Sequence, residues 1–269
     1  MLSFILPRIA GVPAVARRSV SVMERNVAAL KSVYWFVFVS GVIEPLLYLL
    51  SIGVGVGALI GDLTLPNGRV VDYATFVAPA MLSSSVMTGT LAETTYNFFG
   101  KLKYAKLYDG MLVTPLRPFE IALGELGWAM IRGAIYSAAF LVIMVAMGLT
   151  SASRAALAFP AAVLAGFAFG ALGLAFSTFM RSWEDFDLVG AGQFALFLFS
   201  GTFIPAEAYP TLVRWLIEVT PLYRVVHLVR GVTMGETNAL VLVDVAYLVG
   251  ALAFGLILAA RRMSRLLYR

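Results

Sequence analysis

Charged side chains interrupt stretches of this sequence that are otherwise apolar, and their types and spacing limit the chemistry they could do. If these stretches cross a bilayer, an ionised group at its centre costs about 2.5–3.5 kcal/mol, so each must face protein or a water-filled cavity. Such groups can line a translocation path, or they can pair between helices and fix the packing. Both interpretations stay open for Glu44 and Arg132, whereas pairing or a position near the membrane surface is favoured for Glu93, Glu120 and Asp244.

Two of the charged residues share one face of a predicted helix. Glu125 and Arg132 are seven residues apart, so they lie two turns from each other on the same side. They cannot touch within one ideal helix, and each could pair with a neighbouring element. Glu44 directly precedes Pro45, whose ring leaves a backbone carbonyl of the first apolar stretch without its usual donor.

Several other kinds of chemistry are excluded by residue type. The chain has no cysteine, which rules out disulfides, thiolate metal sites and thiol catalysis. His227 is its only histidine, and one histidine without cysteine makes a poor metal site. No G-x-x-x-x-G-K-[ST] phosphate-binding loop occurs, because the pair Gly100-Lys101 lacks both the upstream glycine and the following Ser or Thr. We therefore expect no catalytic residue in this chain, and no metal or cofactor bound by it.

The composition indicates that a bilayer is the solvent of this chain. Apolar residues make up 61% of the sequence and charged residues only 13%, against about 25% charged residues in soluble domains. A net charge of +5 could suggest nucleic acid as a partner. The basic residues flank apolar stretches, however, and this pattern is typical of membrane orientation instead. We expect contact with the lipid bilayer and none with nucleic acid.

Six apolar segments meet or approach the length of about 20 residues that a helix needs to cross a bilayer. The sequence therefore predicts an all-α integral membrane protein with six transmembrane helices in a single transmembrane domain, 1–269. The fifth segment is short and is expected to begin earlier, near Trp183. The six segments are 33–57, 76–99, 119–147, 157–180, 188–203 and 240–260.

The distribution of Lys and Arg orients the spans. Fourteen basic residues fall in the two termini and the even-numbered connections, and five fall in the other connections. Because loops on the cytoplasmic side carry the excess of Lys and Arg, both termini are expected to be cytoplasmic. The predicted location is the cell (inner) membrane, crossed several times.

The polar stretch 100–118, here called the basic loop, is patterned for contact with a partner or the bilayer surface. It carries four basic residues, which place it in the cytoplasm. Tyr104, Leu107, Tyr108 and Met111 fall at i, i+3, i+4 and i+7 and form one apolar stripe on a short helix. A solvated loop needs no such stripe, so we interpret the stripe as the contact for a separate cytosolic protein that drives the membrane domain.

Two further segments break the pattern of plain spans. Within 1–32, the sequence predicts a basic amphipathic helix lying on the inner leaflet. Its apolar face is formed by Ala16, Val20, Met23, Val27 and Leu30.

Segment 204–238 is apolar but broken by prolines and glycines, so none of its pieces is long enough to span the bilayer. Its stripe is expected to belong to a re-entrant helical hairpin, with an ordinary extracellular loop as the alternative. The members of that stripe are Leu212, Trp215, Leu216 and Val219, and Gly231 is expected to end the second short helix.

Together these features resemble the type-2 ABC transporter permeases over nearly the whole chain. The stretch 95–128, TYNFFGKLKYAKLYDGMLVTPLRPFEIALGELGW, looks like the NodJ-like branch, which is associated with export of lipo-oligosaccharides and related amphiphiles. The stretch 199–231 resembles the family's proline-broken segment, which here ends in Pro221-Leu222 and Arg230. Thr220 departs from the asparagine that often precedes this proline.

The resemblance implies the membrane-spanning subunit of an ATP-driven exporter. Such a permease forms its path with a second permease chain, as a homodimer or a related heterodimer, and ATP is used by a separate ATPase subunit. The cargo is expected to be a glycolipid, a lipo-oligosaccharide or a drug. The implied ATPase-coupling residues are Tyr104, Leu107, Tyr108, Asp109 and Met111. The candidates for the translocation path or gate are Glu44, Glu93, Glu125, Arg132, Trp215, Pro221 and Arg230.

Two alternatives come from other functional classes. An ion-coupled secondary transporter would use the intramembrane carboxylates, but it predicts internal repeats and paired broken spans, which the sequence does not show. A membrane-embedded lipid-modifying enzyme predicts a cluster of catalytic polar residues at one membrane face, and no such cluster is found.

Overall fold

The computed structural model describes residues 14–30, 43, 46–65, 68–236 and 239–267, and these are predominantly helical. Residues 1–13 and about half of the first apolar segment, 33–57, lie outside the described residues. The α-helices, in chain order, are α1 (Ala14–Leu30), α2 (Gly57–Ile60), α3 (Tyr73–Ala92), α4 (Leu107–Leu112), α5 (Pro118–Ala146), α6 (Ala152–Ser177), α7 (Phe186–Leu198), α8 (Thr211–Val219), α9 (Pro221–Met234) and α10 (Leu240–Leu267).

Three wider, π-helical segments, one turn of 3₁₀ helix (Ala206–Ala208) and one small ribbon complete the described elements. The π-helical segments are Leu49–Val56, Glu93–Asn97 and Gly100–Tyr104, and the last two extend α3 toward the basic loop. Strands β1 (Asp62–Thr64) and β2 (Val70–Asp72) pair antiparallel before α3, an element that an all-α prediction leaves out.

Three helices of the described residues, α5, α6 and α10, are long and apolar enough to cross a membrane. They correspond to the predicted third, fourth and sixth segments. Helix α3 matches the second segment. Helix α7 matches the fifth, but its 13 residues reach only about 20 Å, less than the ~30 Å of a bilayer core. It starts at Phe186 rather than near Trp183 and stops before a turn in which Gly201 has a φ of +69°.

Helix α5 is the longest of the described helices. Its 29 residues span about 43 Å, from the basic loop at its start to Thr150 just beyond its end. There the Thr150 hydroxyl donates to the carbonyl of Thr233 at 2.8 Å, which ties it to the end of α9. The basic loop and the broken segment 204–238 therefore lie at opposite ends, called here the loop end and the hairpin end.

Helix α6 lies at the centre of the bundle, packed against α3, α5, α9 and α10. Small residues allow this close approach. A Cβ added at Gly255 of α10 would lie 2.6 Å from the backbone of Ala171, and one at Gly173 would lie 2.3 Å from the Thr94 hydroxyl. Since those distances are too short for any real Cβ contact, larger residues at these positions would force the helices apart.

The ends of α9 follow from its sequence, with one correction. Thr220 caps the start, its hydroxyl accepting from the Tyr223 N–H at 3.3 Å, and Pro221 occupies the first turn. The expectation that Gly231 ends this helix was wrong. The helix continues through Gly231 to Met234 and ends at Gly235, whose φ of +76° is the left-handed conformation that glycine adopts without strain.

Candidate functional site

A cavity of about 540 Å³ opens between α3, its π-helical extension, α5 and α7. Apolar side chains, including Met81 and Phe194, form much of its wall. Polar groups converge on one part of it, where Glu93, Asn97 and Arg132 all reach the surface. Its size falls within the 300–1,000 Å³ of common ligand pockets.

Glu93 is held by three donors inside this wall. Its carboxylate accepts hydrogen bonds from the Trp128 indole at 3.0 Å and the Asn97 amide at 2.8 Å, and it forms an ion pair with Arg132. Asn97 lies four residues after Glu93, and both belong to the π-helical segment Glu93–Asn97, a kind of segment that is frequent at functional sites. The Glu93 side chain is only 8% exposed, so most of the carboxylate is covered by these donors.

Arg132 contributes the more exposed half of that ion pair, with 22% of its side chain accessible. Its Nη2 lies 3.5 Å from the Tyr136 hydroxyl, which is the long limit of a hydrogen bond. Its Nε is buried and has no hydrogen-bond partner among the described residues. The guanidinium therefore keeps donor capacity beyond its bond to Glu93.

The apolar stripe of the basic loop is turned mostly toward the rest of the chain. Tyr108 is fully buried in α4, with its ring centroid 5.2 Å from that of Phe98. Leu107 and Met111 are partly buried against the same cluster. Tyr104 is exposed on one side and stacks on Trp183, with 5.4 Å between ring centroids.

The opposite edge of the loop helix is open. Asp109 and Gly110 are exposed, and Val113, just after α4, has 89% of its surface accessible. A partner that approaches the loop end would meet this edge first. Among the predicted coupling residues, Asp109 lies on the open edge, whereas Tyr108 lies beneath it.

Glu125 lies at a junction of three elements near the loop end and is not part of the cavity wall. Its carboxylate is 3% exposed and contacts Lys101 Nζ at 2.6 Å, Asn26 Nδ2 at 3.1 Å and Arg25 Nη2 at 3.5 Å. Lys101 comes from the extension of α3, while Arg25 and Asn26 come from α1. Glu125 and Arg132 thus each pair with a neighbouring element and not with each other.

Helix α1 rests directly on α5 beside this junction. A Cβ at Gly124 would lie 2.6 Å from Val22, so glycine is what lets the two helices approach. One turn earlier, Arg18 pairs with Glu120 at 3.3 Å, and the other Glu120 oxygen accepts from the Arg117 N–H at 2.9 Å. Arg18 and Arg25 thus anchor α1 to α5.

The environment of Tyr108 favours its protonated form. Burial raises its pKa well above the ordinary value, and the negative charge of nearby Glu125 raises it further. The hydroxyl has no hydrogen bond of normal geometry among the described residues. At neutral pH Tyr108 is therefore an uncharged ring packed beneath α4.

At the hairpin end, the predicted gate residues have different surroundings. Trp215 is 66% exposed on α8, and Pro221 begins α9. Arg230 is directed inward, where it donates to the carbonyls of Phe76 at 3.1 Å and Gly201 at 2.9 Å, with its guanidinium 3.8 Å from the centre of the Phe76 ring. It thereby joins α9 to the start of α3 and to the turn after α7.

Sequence reasoning missed one polar cluster at this end. Asp244 of α10 is fully buried and bonded to Arg224 Nη1 at 3.2 Å and to His227 Nδ1 at 2.6 Å. The signal was the spacing of Arg224 and His227, which puts both on one face of α9. Glu44 cannot be placed, because it lies outside the described residues.

Comparison with known proteins decides the family. Residues 20–234 match the family described as ABC-2 type transporter. The chain belongs to this family. It is therefore a transporter permease rather than an enzyme, and its family implies a multi-pass membrane protein that works with an ABC ATPase.

The permease also resembles curated relatives over most of its length. It is 30% identical over 251 residues to Nodulation protein J of Rhizobium leguminosarum bv. trifolii, covering 93% of this chain and 92% of that protein. It is 27% identical to Nodulation protein J of Rhizobium meliloti (strain 1021), covering 91% and 90%. It is 25% identical to the inner membrane transport permease YadH of Escherichia coli (strain K12), covering 80% and 81%.

Proposed function

We propose that this permease is the membrane-spanning subunit of an ATP-driven exporter whose cargo is amphiphilic or hydrophobic, such as a glycolipid, a lipo-oligosaccharide or a drug. A separate ATPase subunit binds the loop end, which faces the cytoplasm. The cavity between α3, α5 and α7 belongs to the cargo path. The relatives named as nodulation proteins and as an inner membrane permease support transport across the cell membrane.

One chain of contacts carries this proposal. Tyr108 of α4 packs on Phe98, and Phe98 directly follows the segment Glu93–Asn97 that lines the cavity. A push on α4 would therefore act through a buried aromatic contact on the same helix that forms the cavity wall. Packed side chains transmit such displacements because they are nearly incompressible.

The ATPase docks on the open edge of the loop helix in this scheme, and the buried stripe keeps that edge fixed to the permease. The exposed side chains of Asp109 and Val113 are the contacts we assign to the ATPase. Tyr104, Leu107, Tyr108 and Met111 then transmit the movement inward. Glu125 links the same region to α1 and so spreads the movement to the first part of the chain.

A second permease chain completes the path. Helix α7 forms one wall of the cavity, yet only Phe186 among its residues is buried. Leu188 and Phe194 are 76% and 62% exposed, which suits contact with a second copy or with lipid. We assign α7 to the dimer interface, so that two copies enclose one path.

The hairpin α8–α9 is the proposed outer gate, re-entrant from the external side. The Tyr247 hydroxyl donates to the carbonyl of Val219 at 2.8 Å. Tyr247 lies seven residues into α10, so the end of α8 sits about 10 Å below the start of that helix. Arg230 holds α9 to both α3 and the turn after α7, which suits a closed gate.

ATP-driven transport is tested in inside-out vesicles that contain the permease and its ATPase. A fluorescent phospholipid analogue is expected to accumulate when ATP is added, to stop with vanadate and to be insensitive to a proton uncoupler. The variant Leu107→Asp should be inserted normally but should abolish accumulation. Transport that an uncoupler stops and vanadate does not would support an ion-coupled carrier and overturn the proposal.

A further inference from the structure

We infer that the cavity selects amphiphiles whose polar group is negatively charged, and that Arg132 binds that charge. This inference rests on the proposed function, since it takes the cavity as part of the cargo path. It concerns the class of cargo, which family membership leaves open. Among the described lining residues, Arg132 and Glu93 form an ion pair whose two side chains are unequally exposed, 22% against 8%.

The negative partner of this pair is shielded from the cavity. Glu93 already accepts from Trp128 and Asn97 as well as from Arg132, and only 8% of its side chain is exposed. A cationic cargo would have to displace these donors before it reached a carboxylate oxygen. Glu93 therefore serves to hold Arg132 in place and offers little to a positively charged ligand.

The positive partner faces the cavity with unused donors. A guanidinium carries five N–H groups in a planar fork that matches carboxylate and phosphate oxygens. Arg132 uses Nη1 on Glu93 and its Nε is buried, so Nη2, which makes only a 3.5 Å contact with Tyr136, is the donor left for a ligand. An anionic group could therefore bind without breaking the ion pair.

The rest of the cavity adds neutral groups to this single cation. Among the described residues, Glu93 and Arg132 are the only charged side chains in the lining. Gln193 supplies a neutral polar side chain, whereas the hydroxyl of Ser84, another lining residue, is itself buried. Phe194 and Phe197 provide apolar surface for a hydrocarbon chain. The combination fits one acidic headgroup joined to an apolar tail.

The test compares ligands that share one tail and differ in headgroup charge. Purified permease in nanodiscs of neutral lipid is titrated with decyl phosphate, decyl maltoside and decyltrimethylammonium, and ligand-induced changes in unfolding temperature give the affinities. We expect decyl phosphate to bind about tenfold more tightly than the other two, as for one charge-assisted hydrogen bond. Gly89→Phe is the control for the cavity, because a Cβ at Gly89 meets nothing within 4 Å and the added ring would fill the lumen.

Variants of the ion pair separate recognition from structure. Glu93→Gln keeps Arg132 and should retain or strengthen the preference for phosphate, whereas Glu93→Gln with Arg132→Gln keeps the site neutral and should abolish it. Arg132→Lys preserves the charge but not the fork, and it should retain part of the preference. A preference that persists in the double variant, or none in the unaltered protein, would overturn the inference.

Further binding measurements distinguish a membrane lipid from free phosphate as the anionic ligand. They also separate failure of the inference from failure of the proposed function. Weaker decyl phosphate binding in nanodiscs with phosphatidylglycerol would support a membrane lipid as the natural ligand. Equal competition by inorganic phosphate would show that the tail is irrelevant and would overturn an amphiphile as cargo. Equal binding of all three amphiphiles, lost in Gly89→Phe, would refute charge selection alone. No cavity-dependent binding of any amphiphile would contradict both the inference and the proposed cargo path.

Discussion

Tyr108 forms the contact between the loop helix and the helix that lines the cavity. Its ring is fully buried against Phe98, so its structural role is distinct from the transmitting role that we propose for it. Its hydroxyl contributes little, because no hydrogen bond of normal geometry satisfies it among the described residues. Ring and hydroxyl can therefore be tested separately.

Tyr108→Ala should uncouple ATP hydrolysis from transport, whereas Tyr108→Phe should behave like the unaltered protein. Loss of a buried ring costs about 3–5 kcal/mol, and loss of an unbonded hydroxyl less than about 1 kcal/mol.

Because the pKa of Tyr108 is raised on folding, the contribution of its protonated side chain to the free energy of unfolding is complete below pH 10.0 and falls as the pH rises above this value. The phenylalanine variant should lose this alkaline sensitivity, as followed by thermal unfolding. Equal defects in both variants would refute this assignment.

Glu125→Gln should destabilise the loop end by about 1–3 kcal/mol, because it leaves Lys101 and Arg25 facing a neutral amide. This is below the value for a fully buried pair, since Arg25 is 33% exposed and solvent screens part of its charge. Thermal unfolding in detergent measures the effect. The control Arg214→Gln removes an exposed pair at the hairpin end and should change the unfolding temperature little. Similar shifts in both variants would contradict a special role for Glu125.

At the scale of elements, the sequence predicted the loop helix but not which way it faces. The stripe of Tyr104, Leu107, Tyr108 and Met111 is apolar whether it meets an ATPase or the permease itself. Only the three-dimensional position of Phe98 decides that it packs inward. The prediction that α9 ends at Gly231 was wrong for a similar reason. Packing of α9 against α3, α6 and α10 overrides the weak tendency of one glycine to end a helix.

Cysteine labelling tests whether the hairpin is an outer gate. Because the chain has no native cysteine, a thiol reagent labels only the introduced cysteine. A cysteine at Trp215, which is 66% exposed, should react with a small impermeant reagent added from outside. A cysteine at Val226, which is 1% exposed, should be protected and should become reactive only when ATP is trapped on the complex. Nucleotide-independent labelling of Val226 would argue against a gate, and labelling of Trp215 from the cytoplasmic side alone would refute the placement.

For the whole molecule, the membrane-spanning helices are the feature that the sequence predicts most directly, through its long apolar segments. Helices α5, α6 and α10 coincide with predicted segments because hydrophobic length is a local property of the sequence. The cavity could not be foreseen, because Glu93 and Arg132 are 39 residues apart and meet only when α3 packs on α5. The first segment and Glu44 lie outside the described residues, so the count of six spans stays a prediction.

Reporter tags test that count and the orientation together. Tags at Arg269 and before Arg8 should report the cytoplasm, while tags near Asn67 and Ser153 should report the external side. The reason is the excess of Lys and Arg on the connections assigned to the cytoplasm. An external C-terminus would refute the even number of spans and reverse the sides assigned to the loop and hairpin ends.

The contact between a separate ATPase and the open edge of the loop helix can be tested directly by crosslinking. A photoreactive amino acid at Val113, 89% exposed, is activated in native membranes, and the adducts are identified by mass spectrometry. Leu242 of α10, 74% exposed at the other end of the molecule, is the matched control. We expect an adduct at Val113, and none at Leu242, with a protein that carries a nucleotide-binding phosphate loop. No ATPase adduct at Val113, or equal adducts at both positions, would contradict it.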